Sequence, residues 1–269
     1  MARTIGVSGM IDKPYHGGRY HAGQTLDWMP TDTEENFNKL MQDPVHRQFF
    51  QEQGWDKPGT ITYKLNSEGF RCDDFDDQPC MVALGCSYTV GIGLPLKDIW
   101  PTLVGNTLGL KVVNLAWGGN AIDTCFRMAD YWLPKLNVKL VCMLTPPKER
   151  IEVVLTDKDE HFVDMYKSDV IMSHSLSKNY RAEDHFLNHW FMQDQNQLIN
   201  KRKNVLAIKQ LCTDIGTEFL SIDTQTTMTG SREDIGYARD YMHGGPKIQD
   251  RKSTRLNPVT LESRMPSSA

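Results

Sequence analysis

The sequence predicts an α/β protein built on a parallel sheet, and three observations predict it. Met81-Val82-Ala83-Leu84 is a short apolar run that stops at Gly85, too short for a helix and bordered as a buried strand is. Further strand candidates at Lys111–Leu115 and Leu140–Leu144 alternate with segments of helical periodicity, the rhythm of βαβ units. A chain of 269 residues is long enough to bury such a core as one large domain carrying insertions.

The elements follow in chain order. Residues 1–59 are rich in Gly, His, Asp and Gln and show little periodicity. They read as an N-terminal extension wrapping the core, with one helix expected from Glu34 to Phe50 and with His16 and His21 at the surface. The core domain is placed at 60–250. Ile61 to Asn66 alternates as a half-buried strand, Ser67-Glu68-Gly69 supplies a turn, and Phe70 is an apolar anchor. Asp73 to Asp77 reads as a solvated acidic loop rather than a metal site. Asp98 is positioned to cap a helix running through Trp100, Leu103, Val104 and Leu108, with Pro101 in its first turn and Gly109 at its end. Asn120 is positioned to cap the next helix, with Asp123 in its first turn, and Ile122, Cys125, Phe126, Ala129, Trp132 and Leu133 recur at helical spacing. Ile151–Leu155 and His161–Val163 form a hairpin pattern around Thr156 to Asp159. An insertion is expected at about 157–197, its polar and aromatic part running from Asp164 to Gln197. A long helix from about Asn196 to Ile215 then leads through Gly216 to a strand at Glu218–Ile222.

Composition narrows the function classes. Apolar content of 39% and charged content of 24% describe an ordinary globular protein. A net charge of −4 and the lack of a basic stripe in the core argue against a nucleic-acid partner. No signal peptide or membrane span is legible, which points to the cytoplasm. The six cysteines lack metal spacing, and Cys125, Cys142 and Cys212 read as small buried thiols in a reducing setting. His185 and His189 stand four apart beside Asp184, but no third ligand supports a metal, and Phe186, Trp190 and Phe191 mark that face as packing. Trp100, Trp117 and Trp132 are read first as core aromatics. Residues 251–269 are basic and rich in Ser and Pro, and look like translated adapter sequence. They are expected to form a non-native, disordered tail in place of a covering helix.

Three short blocks carry chemistry. Gly85-Cys86-Ser87-Tyr88-Thr89 follows the first core strand, Asn114 to Asn120 follows the second, and Asp240-Tyr241-Met242-His243 comes late. A serine hydroxyl is a weak nucleophile until a histidine nitrogen accepts its proton. That histidine needs a carboxylate to set its tautomer and stabilise the imidazolium. Asp240 and His243, three apart, can turn to one side of a tight loop. Glycine lets backbone donors approach an oxyanion, which makes the Ser87 and Gly119 N–H groups candidates. Cys86 is a lesser nucleophile candidate.

These blocks resemble the SGNH hydrolases, the GDSL-type esterases, lipases and acylhydrolases. The resemblance matches Gly85-Cys86-Ser87 to the Gly-Asp-Ser nucleophile block, Gly119 to the second block's oxyanion glycine, and Asp240 and His243 to the Asp-x-x-His block. The lead-in Tyr63 to Arg71 resembles the segment ahead of the serine in some members. What the resemblance implies is a flavodoxin-like, three-layer α/β/α sandwich that hydrolyses an ester or acyl group without a cofactor. The substrate would be a small-molecule ester, an acylated sugar or a lipid.

The departures are specific. Cys86 stands where the family has aspartate, which the serine chemistry does not require. The family's third block offers an asparagine as oxyanion donor, and here the place reads Leu144-Thr145-Pro146-Pro147-Lys148. Proline has neither an N–H nor a polar side chain. Loss of one such donor costs about two to three orders of magnitude in turnover. Asn120 and Thr145 are the candidate substitute donors. A second reading follows from the missing asparagine: an SGNH-fold module that binds a glycan or lipid without turning it over.

Overall fold

The computed structural model describes residues 16–155, 170–175, 193–224 and 236–256. In chain order the strands and α-helices are β1 (Thr25–Leu26), α1 (Glu34–Gln42), α2 (Pro44–Gln53), β2 (Tyr63–Lys64), β3 (Cys80–Leu84), α3 (Ser87–Val90), α4 (Trp100–Leu108), β4 (Lys111–Asn114), α5 (Ile122–Trp132), β5 (Val138–Thr145), β6 (Arg150–Leu155), β7 (Val170–Ser175), α6 (Asp194–Asp214), β8 (Glu218–Asp223) and α7 (Pro246–Leu256).

The central sheet has the order β4-β3-β5-β8, with every neighbouring pair parallel. Its central strands β3 and β5 are apolar on both sides, as parallel strands covered by helices must be. Cys80, Val82 and Leu84 of β3 join Val141 and Met143 of β5 in a core closed by α5 and by Ile208 and Cys212 of α6. The alternate residues Met81 and Ala83, with Leu140, Cys142 and Leu144, pack against Trp100 and Val104 of α4 and Leu256 of α7. The two-residue period of the strands therefore separates two cores and sets three layers, the α/β/α sandwich that the sequence predicts.

This strand order also locates the ligand edge. From β3 the chain crosses over α4 to β4 on one side, then over α5 to β5 on the other side of β3. The crossovers part at the C-terminal end of β3, where open α/β sheets hold their ligands. Ser87 opens α3 at that point.

Several expected elements are corrected. The helix expected from Glu34 to Phe50 is two helices, because Pro44 has no N–H to continue α1. Asp43 instead caps α2, accepting from the N–H groups of Val45 at 2.8 Å and His46 at 3.2 Å. Asp98 does not cap α4; it lies in a 3₁₀ turn, and the Trp100 N–H donates to the Gln249 Oε1 of α7 at 3.2 Å. Asn120 does not cap α5, which starts after Ala121. β6 pairs antiparallel with β7, whereas the hairpin partner expected at His161–Val163 lies outside the described residues, as does most of the insertion. Asp194 to Gln197 belong to α6.

The C-terminal stretch is also corrected. Residues 251–256 continue α7, which buries Ile248, Gln249, Lys252 and Leu256; the remainder of the expected tail lies outside the described residues. His16 is not a surface residue. It is buried, stacked on Phe70 at 3.9 Å, with Nε2 donating to the Glu68 carbonyl at 3.0 Å. Among the described residues no helix is long and apolar enough to cross a membrane, and no His, Cys, Asp and Glu cluster could hold a metal ion.

Candidate active site

Ser87 is held by what precedes and follows it. Gly85 leaves β3 under the Thr89 side chain, where a Cβ would lie 2.1 Å from Thr89 Oγ1 and 3.0 Å from the Leu144 carbonyl oxygen. Only glycine fits that approach. The Asn114 side chain donates to the Thr89 carbonyl at 3.0 Å and accepts from the Ala116 N–H at 3.2 Å. It thereby ties the nucleophile turn to the loop after β4. The Arg71 guanidinium, fully buried, donates to the carbonyls of Val90, Gly91, Leu94 and Thr62 at 2.7–3.1 Å. A buried charge is tolerated when its hydrogen bonds are met in this way. Burial still pulls its pKa down to about 10.

The late loop comes to the same place. The Ser87 Oγ lies 2.8 Å from His243 Nε2, and His243 Nδ1 lies 2.5 Å from Asp240 Oδ2. Asp240 Oδ1 accepts from the N–H groups of Met242 at 3.1 Å and His243 at 3.0 Å. The turn that joins them puts Tyr241 at φ 57°, a left-handed conformation uncommon for a bulky residue. The edge of the Tyr88 ring contacts the His243 ring, 4.8 Å between centroids.

The N-terminal segment supplies the remaining contacts. Thr31 Oγ1 donates to Asp240 Oδ2, the same oxygen that faces His243, and Asn36 donates to the Asp240 carbonyl at 3.1 Å. Asp32 pairs with Arg239 through three buried hydrogen bonds, from Nε at 2.9 and 3.2 Å and from Nη2 at 2.6 Å, and accepts from the Tyr63 hydroxyl at 2.5 Å. Burial pushes the Asp240 pKa up, but the hydrogen bonds from His243 and Thr31 outweigh it and leave the carboxyl below its ordinary 3.8.

A cavity of about 530 Å³ opens over the serine. That size suits a small-molecule site. Its lining includes Ser87, Tyr88, His243, Trp117, Gly119 and Thr31. Gly119 has φ 81°, which keeps its Cβ-free backbone turned in the left-handed region.

Ser87, His243, Asp240 and Gly119 thus come together. Asn120 and Thr145, expected as substitute donors, do not line the cavity. The Asn120 amide donates to the Gly85 carbonyl at 3.2 Å, and Thr145 is buried at the end of β5. Cys86 is fully buried behind the turn. Trp117, read first as a core aromatic, is half-buried and lines the cavity, and exposed His21 stands at its rim. Sequence reasoning missed Thr31, Asn36 and Arg150. Thr31 lies 209 residues from Asp240, and no local pattern marks such a contact. Arg150 left one signal, a charged residue opening a largely apolar strand three positions after Pro147.

No protein-family model and no curated protein matches the sequence. Among solved structures the chain is similar to a lipolytic protein of the G-D-S-L family from Desulfitobacterium hafniense, at 15% identity and TM-score 0.35, covering 68% of this chain and 99% of that one. It is similar to the esterase EstA from a Pseudoalteromonas species at 11% identity and TM-score 0.34, covering 70% and 98%. A family two carbohydrate esterase from Clostridium thermocellum, in complex with cellohexaose, is similar at 13% identity and TM-score 0.34, covering 71% and 65%.

Proposed function

We propose that this chain is a serine hydrolase that cleaves an ester or acyl group with Ser87, His243 and Asp240. The observation that carries the reading is the unbroken relay from Ser87 Oγ to His243 Nε2, 2.8 Å, and from His243 Nδ1 to Asp240, 2.5 Å, with Ser87 and His243 lining a cavity. With Nδ1–H donating to the Asp240 carboxylate, Nε2 carries the lone pair that accepts the serine proton. Ser87 Oγ attacks the carbonyl carbon as that proton passes to His243. The resulting oxyanion lies against the N–H groups of Ser87 and Gly119. His243 then returns the proton to the departing alkoxide, leaving an acyl-serine. Water, deprotonated by His243 in turn, releases the acid and restores Ser87.

The site departs from the family pattern at Pro146 and Pro147, which supply no third donor. This favours one second reading, a module that binds a glycan or lipid without turnover. Turnover of p-nitrophenyl acetate separates the two. The hydrolase reading predicts a rate that Ser87→Ala and His243→Ala each reduce by about three orders of magnitude or more. A rate indifferent to both substitutions, in folded protein, would sink it.

A further inference from the structure

The cavity holds a cation that the triad does not use. Arg150 opens β6 and lines the cavity together with Ser87, Gly119 and His243. Its Nη1 donates to the Asn120 carbonyl at 3.4 Å, which anchors the guanidinium on the residue after Gly119. Two residues along the strand, and so on the same face, Glu152 is neutralised by Arg127 through hydrogen bonds of 2.8 and 2.9 Å. Asp123 of α5 accepts from the Glu152 N–H at 3.4 Å, and with the Arg127 pair it clamps β6 against α5. Arg150 therefore starts from a fixed strand, while among the described residues no carboxylate pairs with it.

The rest of the lining sharpens the contrast. It consists of Met, Pro, Ile, Trp, Tyr, Gly, Thr, Ser and His side chains or backbone, with no Asp or Glu. A guanidinium has five N–H donors in a rigid fork and cannot shed its charge at neutral pH. The one hydrogen bond of Arg150 among the described residues is long, which leaves the other donors to solvent or to a molecule bound in the cavity. The group that satisfies them best is an anion with two coplanar oxygens, bound by parallel hydrogen bonds.

We propose that Arg150 is the specificity residue of this site and that the substrate is an anionic ester, carrying a carboxylate within reach of the scissile acyl group. Ser87 attacks the ester carbonyl while the guanidinium holds the carboxylate at the side of the cavity nearest Gly119. The proposal rests on the hydrolase reading for its kinetic readout but not for its binding readout.

The test compares two esters of nearly equal shape, p-nitrophenyl butyrate and the mono-p-nitrophenyl ester of succinic acid. Wild-type protein is expected to favour the succinate ester in kcat/KM. Arg150→Gln is expected to collapse that preference by roughly 10- to 100-fold, the range for one hydrogen-bonded charge, mostly through KM. Arg150→Lys is expected to keep part of it, since it retains the charge but not the fork. Equal losses on both esters would overturn the proposal and make Arg150 an oxyanion donor instead. A wild type that turns over both esters with equal kcat/KM would overturn it as well. In parallel, calorimetry measures binding of monomethyl succinate to Ser87→Ala protein with and without Arg150→Gln. Arg150-dependent binding, together with a wild type that turns over neither ester, would uphold the anion site while refuting the hydrolase. Binding that ignores Arg150 would refute the anion site whatever the turnover.

Discussion

His16 and Asp240 are both buried ionisable side chains, and their surroundings set them to opposite charge states. Burial lowers the His16 pKa from its ordinary 6.5 to about 4, and the nearby Arg127 charge works in the same direction against the bond to Glu68. The folded ring is therefore neutral down to about pH 4, whereas the unfolded chain takes up a proton near 6.5. Between those values the unfolded state binds more protons, so stability falls as pH falls. The His16 contribution is complete above pH 6.5 and is lost by about pH 4, at most about 3 kcal/mol across the window. Urea unfolding followed by circular dichroism should show the midpoint declining over that range, and His16→Phe should flatten the decline. Asp240 behaves in the reverse sense. Its lowered pKa keeps the carboxylate charged throughout this window, and its own contribution is lost only as pH falls below the ordinary 3.8. The setting of His16 was not legible in advance. His16 reads as a polar residue in a glycine-rich stretch, and only the long-range stack on Phe70 removes it from water.

At the scale of elements, the segment from Thr25 to Trp55 is the support of the late loop. Phe49 and Phe50 of α2 pack edge-on against Tyr241, at 5.7 and 5.9 Å between centroids, while Tyr237 stacks on it at 4.4 Å. This aromatic cluster offsets the cost of holding Tyr241 at φ 57°, a conformation that costs on the order of 1 kcal/mol or more for a non-glycine residue. That turn is what aims Asp240 and His243 at the serine. On the proposed function Thr31, whose hydroxyl bonds to Asp240 Oδ2, is a positioning residue. Thr31→Val removes one donor from a buried carboxylate and should reduce kcat for p-nitrophenyl acetate by about tenfold, with KM little changed. The same substitution should move the acid limb of the pH–rate profile upward, because Asp240 loses one of the bonds that lower its pKa. An unaltered profile and unaltered kcat would show that Thr31 only fills space. The helical period of Glu34 to Phe50 was readable, but its break was set by one residue, Pro44. The contact that matters, Thr31 with Asp240, spans the whole domain and leaves no period to read.

For the molecule as a whole, the order of elements explains why the sheet was legible and the far side of the site was not. A buried parallel strand writes itself into the sequence as an apolar run, and β3, β4, β5 and β8 each fall within a residue or two of where those runs lie. The blocks after β3 and β4 inherit that legibility, since the strand ends deliver Ser87 and Gly119 to one edge. Side chains recruited from elsewhere do not. Arg150 reaches the cavity because β6 folds back against α5, a fact of tertiary packing fixed by Arg127, Glu152 and Asp123. Gln249 replaces the expected Asp98 at the start of α4 because α7 lies against that helix. The central claim is that Ser87 is a nucleophile activated by His243. Its most direct test is intact-protein mass spectrometry after treatment with a fluorophosphonate. One phosphonyl adduct is predicted, mapped by peptide sequencing to Ser87, absent in Ser87→Ala and formed at least about a hundredfold more slowly in His243→Ala. No adduct on well-folded protein, or an adduct at Ser87 whose rate ignores His243, would contradict the account.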